Sequence, residues 1–90
     1  MRKIITSRSF EQDFKRLQKR KAALEKLKIV LSELASTGRL DETYRDHPLR
    51  GNYEGCRECH IEPDWLLIYI IQDDTLELAR TGTHSDLFKK

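Results

Sequence analysis

The sequence predicts an α+β domain in which an N-terminal strand and a helical hairpin pack on a small, mostly antiparallel sheet. Two helical apolar stripes follow one another between Phe10 and Ala35, and three strand-like runs fill the second half. Between these regimes the turn formers Pro48, Gly51, Asn52 and Gly55 interrupt any period. The 90 residues have room for one such domain, 1–90, whose core must draw on nearly every apolar segment.

Each element has its own warrant. Lys3-Ile4-Ile5-Thr6 reads as a short opening strand, and Ser9 with Gln12 three residues on resembles a capping box that starts a helix. Phe10, Phe14 and Leu17 then fall at i, i+4 and i+7, with Lys15, Arg16, Lys19, Arg20 and Lys21 around or beyond that stripe. Leu24, Leu27, Leu31 and Leu34, widened by Val30 and Ala35, make a second stripe that Gly38 is suited to end. The two helices are expected to form a hairpin.

In the second half, Arg57 to Ile61 alternates and Leu66 to Ile71 is almost continuously apolar, the mark of a buried central strand. Thr75 to Thr83 alternates again, and Asp73-Asp74 is a turn that should make the last two strands an antiparallel hairpin. Strict alternation places Leu76, Leu78, Arg80, Gly82 and His84 on one strand face. With helices covering one sheet face, the other is free to hold a site, expected near the His84 end.

The net charge of +2 hides an asymmetry. Residues 1–30 carry ten Lys or Arg against three acids, and the remainder seven against twelve. A positive N-terminal third suits phosphate backbones or an acidic protein partner, with attraction that weakens in salt. No apolar run reaches transmembrane length, and the opening hexapeptide is too short for a signal peptide, so the expectation is a soluble cytoplasmic protein.

Cys56-Arg57-Glu58-Cys59-His60 matches the C-x-x-C-H pattern of covalent haem attachment. That reading is rejected, because residues three apart on an extended strand point to opposite faces. The same geometry opposes a disulfide, and it opposes a zinc site built from Cys56, Cys59, His60 and His84. Neither a metal nor a cofactor is expected.

The three histidines, His47, His60 and His84, all lie in the second half, and imidazole changes charge closest to neutral pH. They sit in a larger constellation. It runs Asp46-His47-Pro48-Leu49-x-Gly51, then Gly55-x-Arg57-x-x-His60-x-x-Pro63-Asp64-Trp65-x-x-x-Tyr69, then Arg80-Thr81-Gly82-Thr83-His84-Ser85-x-Leu87-Phe88. This constellation resembles the YafQ-type bacterial toxins of the RelE/ParE superfamily.

The resemblance implies a ribosome-dependent mRNA endonuclease, inhibited by a cognate acidic antitoxin in a toxin–antitoxin heterotetramer, with the toxin alone a monomer. It places His47, His60, Asp64, Trp65, His84 and Phe88 on the family's functional positions, with ribosomal RNA and mRNA as further partners. The chemistry is self-consistent, since RNA brings its own 2′-hydroxyl nucleophile and requires only a base and an acid. His47 is read as base and His84 as acid, with His60 supporting either, and Asp64 orienting a histidine. Phe88 and Trp65 would stack a splayed base, and Arg57 and Arg80 would meet the phosphate charge. The competing readings are a ParE-like gyrase inhibitor that needs no catalytic histidines, and a binding module that has lost catalysis.

Overall fold

The continuous apolar run is the middle of the sheet. In the computed structural model, which describes residues 1–88, it forms β4 (Trp65–Ile71). The other strands are β1 (Lys3–Thr6), β2 (His47–Pro48), β3 (Arg57–Glu62) and β5 (Thr75–Gly82), giving the order β1-β5-β4-β3-β2. Helices α1 (Arg8–Lys19), α2 (Leu24–Ser36) and α3 (His84–Leu87) complete the α+β arrangement, with 3₁₀ turns at Glu42–Tyr44 and Gly51–Tyr53. Neighbouring strands from β2 to β5 pair antiparallel, while β1 runs parallel to β5. Almost the whole chain lies between β1 and β5, which supplies the long connection a parallel pair requires.

Alternation divides the sheet into two faces. Cys59, Ile61, Trp65, Leu67, Tyr69, Leu76 and Leu78 pack against Phe10, Leu17, Leu27, Val30 and Leu34 of the first two helices. Val30, Leu34, Leu67 and Leu76 are fully buried there, and burial of this kind contributes about 1.5–3 kcal/mol per side chain. Leu66 and Ile68 point the other way, where Leu87 of α3 covers them beside Leu49, Tyr53, Cys56 and Ala79. Cys56 and Cys59 thus belong to opposite faces as free thiols, and burial pushes the Cys59 thiol up to about 12.

Two local expectations are corrected. The cap of α1 is Ser7, whose hydroxyl accepts the Phe10 N–H at 2.9 Å, and Ser9 lies inside the helix. Ser7 also donates its N–H to the Leu78 carbonyl and its hydroxyl to that of Ala79, so strand end and helix start share one residue. The single strand face from Leu76 to His84 does not exist either. The β4–β5 register skips Ala79, pairing Tyr69 with Leu78 but Ile68 with Arg80. This bulge reverses the parity, leaving Leu76 and Leu78 under the helices and turning Arg80 and Gly82 to the other face.

Gly38 ends α2 as expected, at φ +76° with its N–H on the Leu34 carbonyl. A β-carbon there would stand 2.9 Å from the Arg2 guanidinium.

Candidate active site

The sheet face opposite α1 and α2 gathers the histidines. His60 on β3 lies opposite Leu66, which lies opposite Gly82, and His47 on β2 lies opposite Glu58 of β3. Ring centroids are 6.3 Å apart for His47 and His60 and 5.9 Å for His60 and His84. Phe88 extends the row, 6.5 Å from His84, and meets Tyr53 edge-on at 5.8 Å. The five rings come from β2, β3, α3 with the residue after it, and the second 3₁₀ turn, segments far apart in sequence.

His84 is held by Asp64. One carboxylate oxygen accepts both the His84 backbone N–H at 3.0 Å and its ring Nδ1–H at 2.6 Å, so Nε2 is the ring nitrogen that Asp64 does not engage. Those two donors hold the Asp64 carboxyl below the usual carboxylate range. Helix α3 beneath is fixed by a capping box between Thr83 and Asp86 and by Arg20, which donates to both Asp86 oxygens at 2.8 and 3.1 Å. Arg16 stands 3.6 Å from the same carboxylate. These two cations of the basic helix therefore serve the fold internally.

His47 follows a strained residue. Arg45 takes a left-handed φ of +51°, and its carbonyl accepts the His47 Nδ1–H at 2.7 Å. The next residue, Asp46, is anchored through the other side of the sheet. One of its oxygens accepts the Tyr69 hydroxyl at 2.6 Å and the Arg57 Nε–H at 3.1 Å. Burial first, and then Asp46, push the Tyr69 hydroxyl pKa up, so it remains a donor. His60, between the outer imidazoles, is half-buried with its Nδ1 unpartnered among the described residues.

Glu58 joins the site from outside the sequence constellation. It is buried on the histidine face, with its carboxylate 3.5 Å from His47 Nε2. The signal available in sequence was its spacing of two from His60, which puts both on one strand face. Tyr53, the edge-on partner of Phe88, carried no such signal.

Two expectations about substrate contacts fail. Trp65 is a core residue, 4% exposed, whose indole N–H donates to Thr81 Oγ1 at 3.0 Å under the helices. It presents no face to a base. Arg57 pairs in register with Tyr69, on the helix-covered face, and not with the imidazoles. The strand alternation that separates Cys56 from Cys59 separates Arg57 from His60 as well. Arg80 does lie in the histidine face's register, yet its guanidinium is held by buried Asp13 at 2.6 and 3.0 Å. Among the described residues no set of three or more His, Cys, Asp or Glu side chains is arranged to hold a metal ion. No helix among the described residues is long and apolar enough to cross a membrane.

Residues 2–89 match the family described as bacterial toxin of type II toxin-antitoxin system, YafQ. The mRNA interferase toxin YafQ of Escherichia coli K12 is 44% identical over 88 residues, which cover 97% of this chain and 96% of that protein. A crystal structure of the E. coli DinJ–YafQ complex superimposes with a TM-score of 0.89 at 43% identity, covering 98% of this chain and 99% of the other. A metal-bound toxin from Helicobacter pylori is 44% identical with a TM-score of 0.89, covering 98% of this chain and 100% of that one.

Proposed function

The chain belongs to the YafQ family of type II toxin-antitoxin toxins, and from that premise we propose that it is a ribosome-dependent mRNA endoribonuclease that works without a metal. The row of imidazoles from His47 to His84, closed by Phe88, is the observation that supports this reading best.

The step needs one proton removed and one delivered. The base takes the proton of a 2′-hydroxyl, the freed oxygen attacks the adjacent phosphorus, and the bond to the 5′-oxygen breaks as that oxygen receives a proton from the acid. The products are a 2′,3′-cyclic phosphate and a 5′-hydroxyl fragment. His47 is the base, with Glu58 3.5 Å from its Nε2 as a second acceptor through which the proton can pass. His84 is the acid in its doubly protonated form, in which Nδ1–H stays on Asp64 and Nε2–H is the proton transferred. His60, between them, faces the phosphate, and each proton transfer is worth about 10²–10⁴-fold. Phe88, exposed at the end of the row, stacks a base.

The partners follow the same reading. An acidic antitoxin inhibits this toxin, as a complex of DinJ with YafQ exists for the E. coli relative. The two assemble as a heterotetramer in the cytoplasm, while the toxin alone is a monomer. The ribosome orders the messenger, and the cations of the N-terminal third that are not spent on Asp86 meet its RNA.

Induced expression with mapping of 5′ ends of cellular messages, for wild type, His47→Ala and His84→Ala, tests the proposal. Wild type should produce new 5′-hydroxyl ends and growth arrest, and both variants should lose them. Intact messages during arrest, or toxicity that survives in folded His84→Ala, point instead to an inhibitory binder of the ParE-like kind. Toxin treated with EDTA and then freed of chelator should cleave ribosome-bound message at the untreated rate, and a loss restored by preincubating the toxin with a metal would overturn metal independence.

A further inference from the structure

Two clefts flank the histidine row, and each is lined by an exposed arginine. One, of about 390 Å³, lies between Tyr44, Arg45, His60 and Pro63. The other, of about 410 Å³, lies between Arg50, Asn52, Tyr53 and Phe88. Both volumes fall in the range of about 300–1,000 Å³ usual for small-ligand sites.

The charges around the row are distributed unevenly. Arg57 and Arg80, the cations expected at the phosphate, are already matched to Asp46 and Asp13. Arg45 and Arg50 are exposed and make no ion pair among the described residues. Glu62, the acid in the first cleft, is itself neutralised by Lys26 at 2.7 Å. Arg45 also holds a left-handed backbone that a side chain disfavours, where a glycine would be relaxed. Arg45 lines the first cleft, and its backbone carbonyl is the one that holds the His47 ring.

We propose that Arg45 and Arg50 hold the phosphates on either side of the scissile one, so that single-stranded RNA crosses the imidazoles extended from one cleft to the other. The nucleotide in the Arg50 cleft stacks its base on Phe88, with Asn52 at the base edge, and its neighbour occupies the cleft beside His60. This inference rests on the nuclease reading and adds to it the path of the strand and the two cations that fix it.

The test uses binding, which is separable from cleavage. A fully 2′-O-methylated hexaribonucleotide, which cannot be cut, is titrated into the intact protein by NMR at several salt concentrations. Arg45→Gly deletes the guanidinium while relaxing the left-handed backbone, so the carbonyl remains available to His47. Arg50→Ala deletes the second cation, and Arg39→Ala, exposed in the loop after α2 and lining neither cleft, is the control. Arg45→Gly and Arg50→Ala should each reduce the slope of log K against log salt by about 0.7, the value of one phosphate contact on a single strand. The control slope should stay at that of wild type. Unchanged slopes in both Arg45→Gly and Arg50→Ala, an equal change in Arg39→Ala, or no wild-type binding up to millimolar RNA would each overturn the proposal. Failure of wild type to cleave ribosome-bound message sinks the nuclease reading, whereas normal cleavage with unchanged slopes sinks this inference alone.

Discussion

A single oxygen of Asp64 takes both the backbone N–H and the ring Nδ1–H of His84, at 3.0 and 2.6 Å. The place of the imidazole and the direction of its Nδ1 are thereby set together, from a residue on the β3–β4 turn. Asp64→Asn removes the negative acceptor and leaves ring rotation free. Cleavage should fall by about 10²-fold, the lower end of what one positioned proton transfer provides, with the fold retained. Single-turnover rates beside a circular dichroism spectrum test this, and a variant cutting at the wild-type rate would remove Asp64 from the mechanism.

Asp46 is fixed through the sheet by Tyr69 and Arg57, and it sets the start of β2. Tyr69→Phe deletes a hydrogen bond to a charged acceptor, a loss of about 1.5–3 kcal/mol. We expect a lower urea midpoint and a lower cleavage rate, because His47 is the next residue. Rescue of folding by stabilising solutes without rescue of rate would separate the positioning effect from stability.

Trp65 should behave as a core residue. Trp65→Phe keeps most of the buried ring and loses the bond to Thr81, costing about 1 kcal/mol. RNA affinity should not change. A drop in affinity larger than the drop in stability would restore Trp65 to the substrate surface.

Asp86 sets the acid limb of stability. Its carboxyl is held below the ordinary carboxylate range, chiefly by Arg20 and then by the α3 cap. A carboxyl depressed on folding contributes fully above its unfolded value of about 3.9, and that contribution disappears as pH falls through the lower folded value. Urea midpoints of wild type and Asp86→Asn should therefore differ by a constant amount from pH 7 to pH 5 and converge below pH 4. A gap that closes already between pH 7 and 5 would refute the assignment.

The periods of the sequence were enough to place the elements. Two stripes of period 3.6 became α1 and α2, the continuous run became the central strand, and Asp73-Asp74 became the turn into β5. Alternation also separated Cys56 from Cys59, because side-chain direction along a strand is a local property. Applied to Arg57, the same rule would have removed it from the histidine face.

Local rules failed where a distant segment decided the outcome. Ser7 displaced Ser9 as cap because β5 lay ready to accept its hydroxyl, and the bulge at Ala79 reversed the faces beyond it. Trp65 turned inward because Thr81 waited across the sheet, and Glu58 met His47 only once β2 paired with β3. Local patterns in the chain were enough to decide which segments form helices and strands, and composition made three imidazoles available. Which of them meet, in what tautomer and beside which charges, was decided by tertiary structure, because strand register and bulges set distances that no single segment encodes.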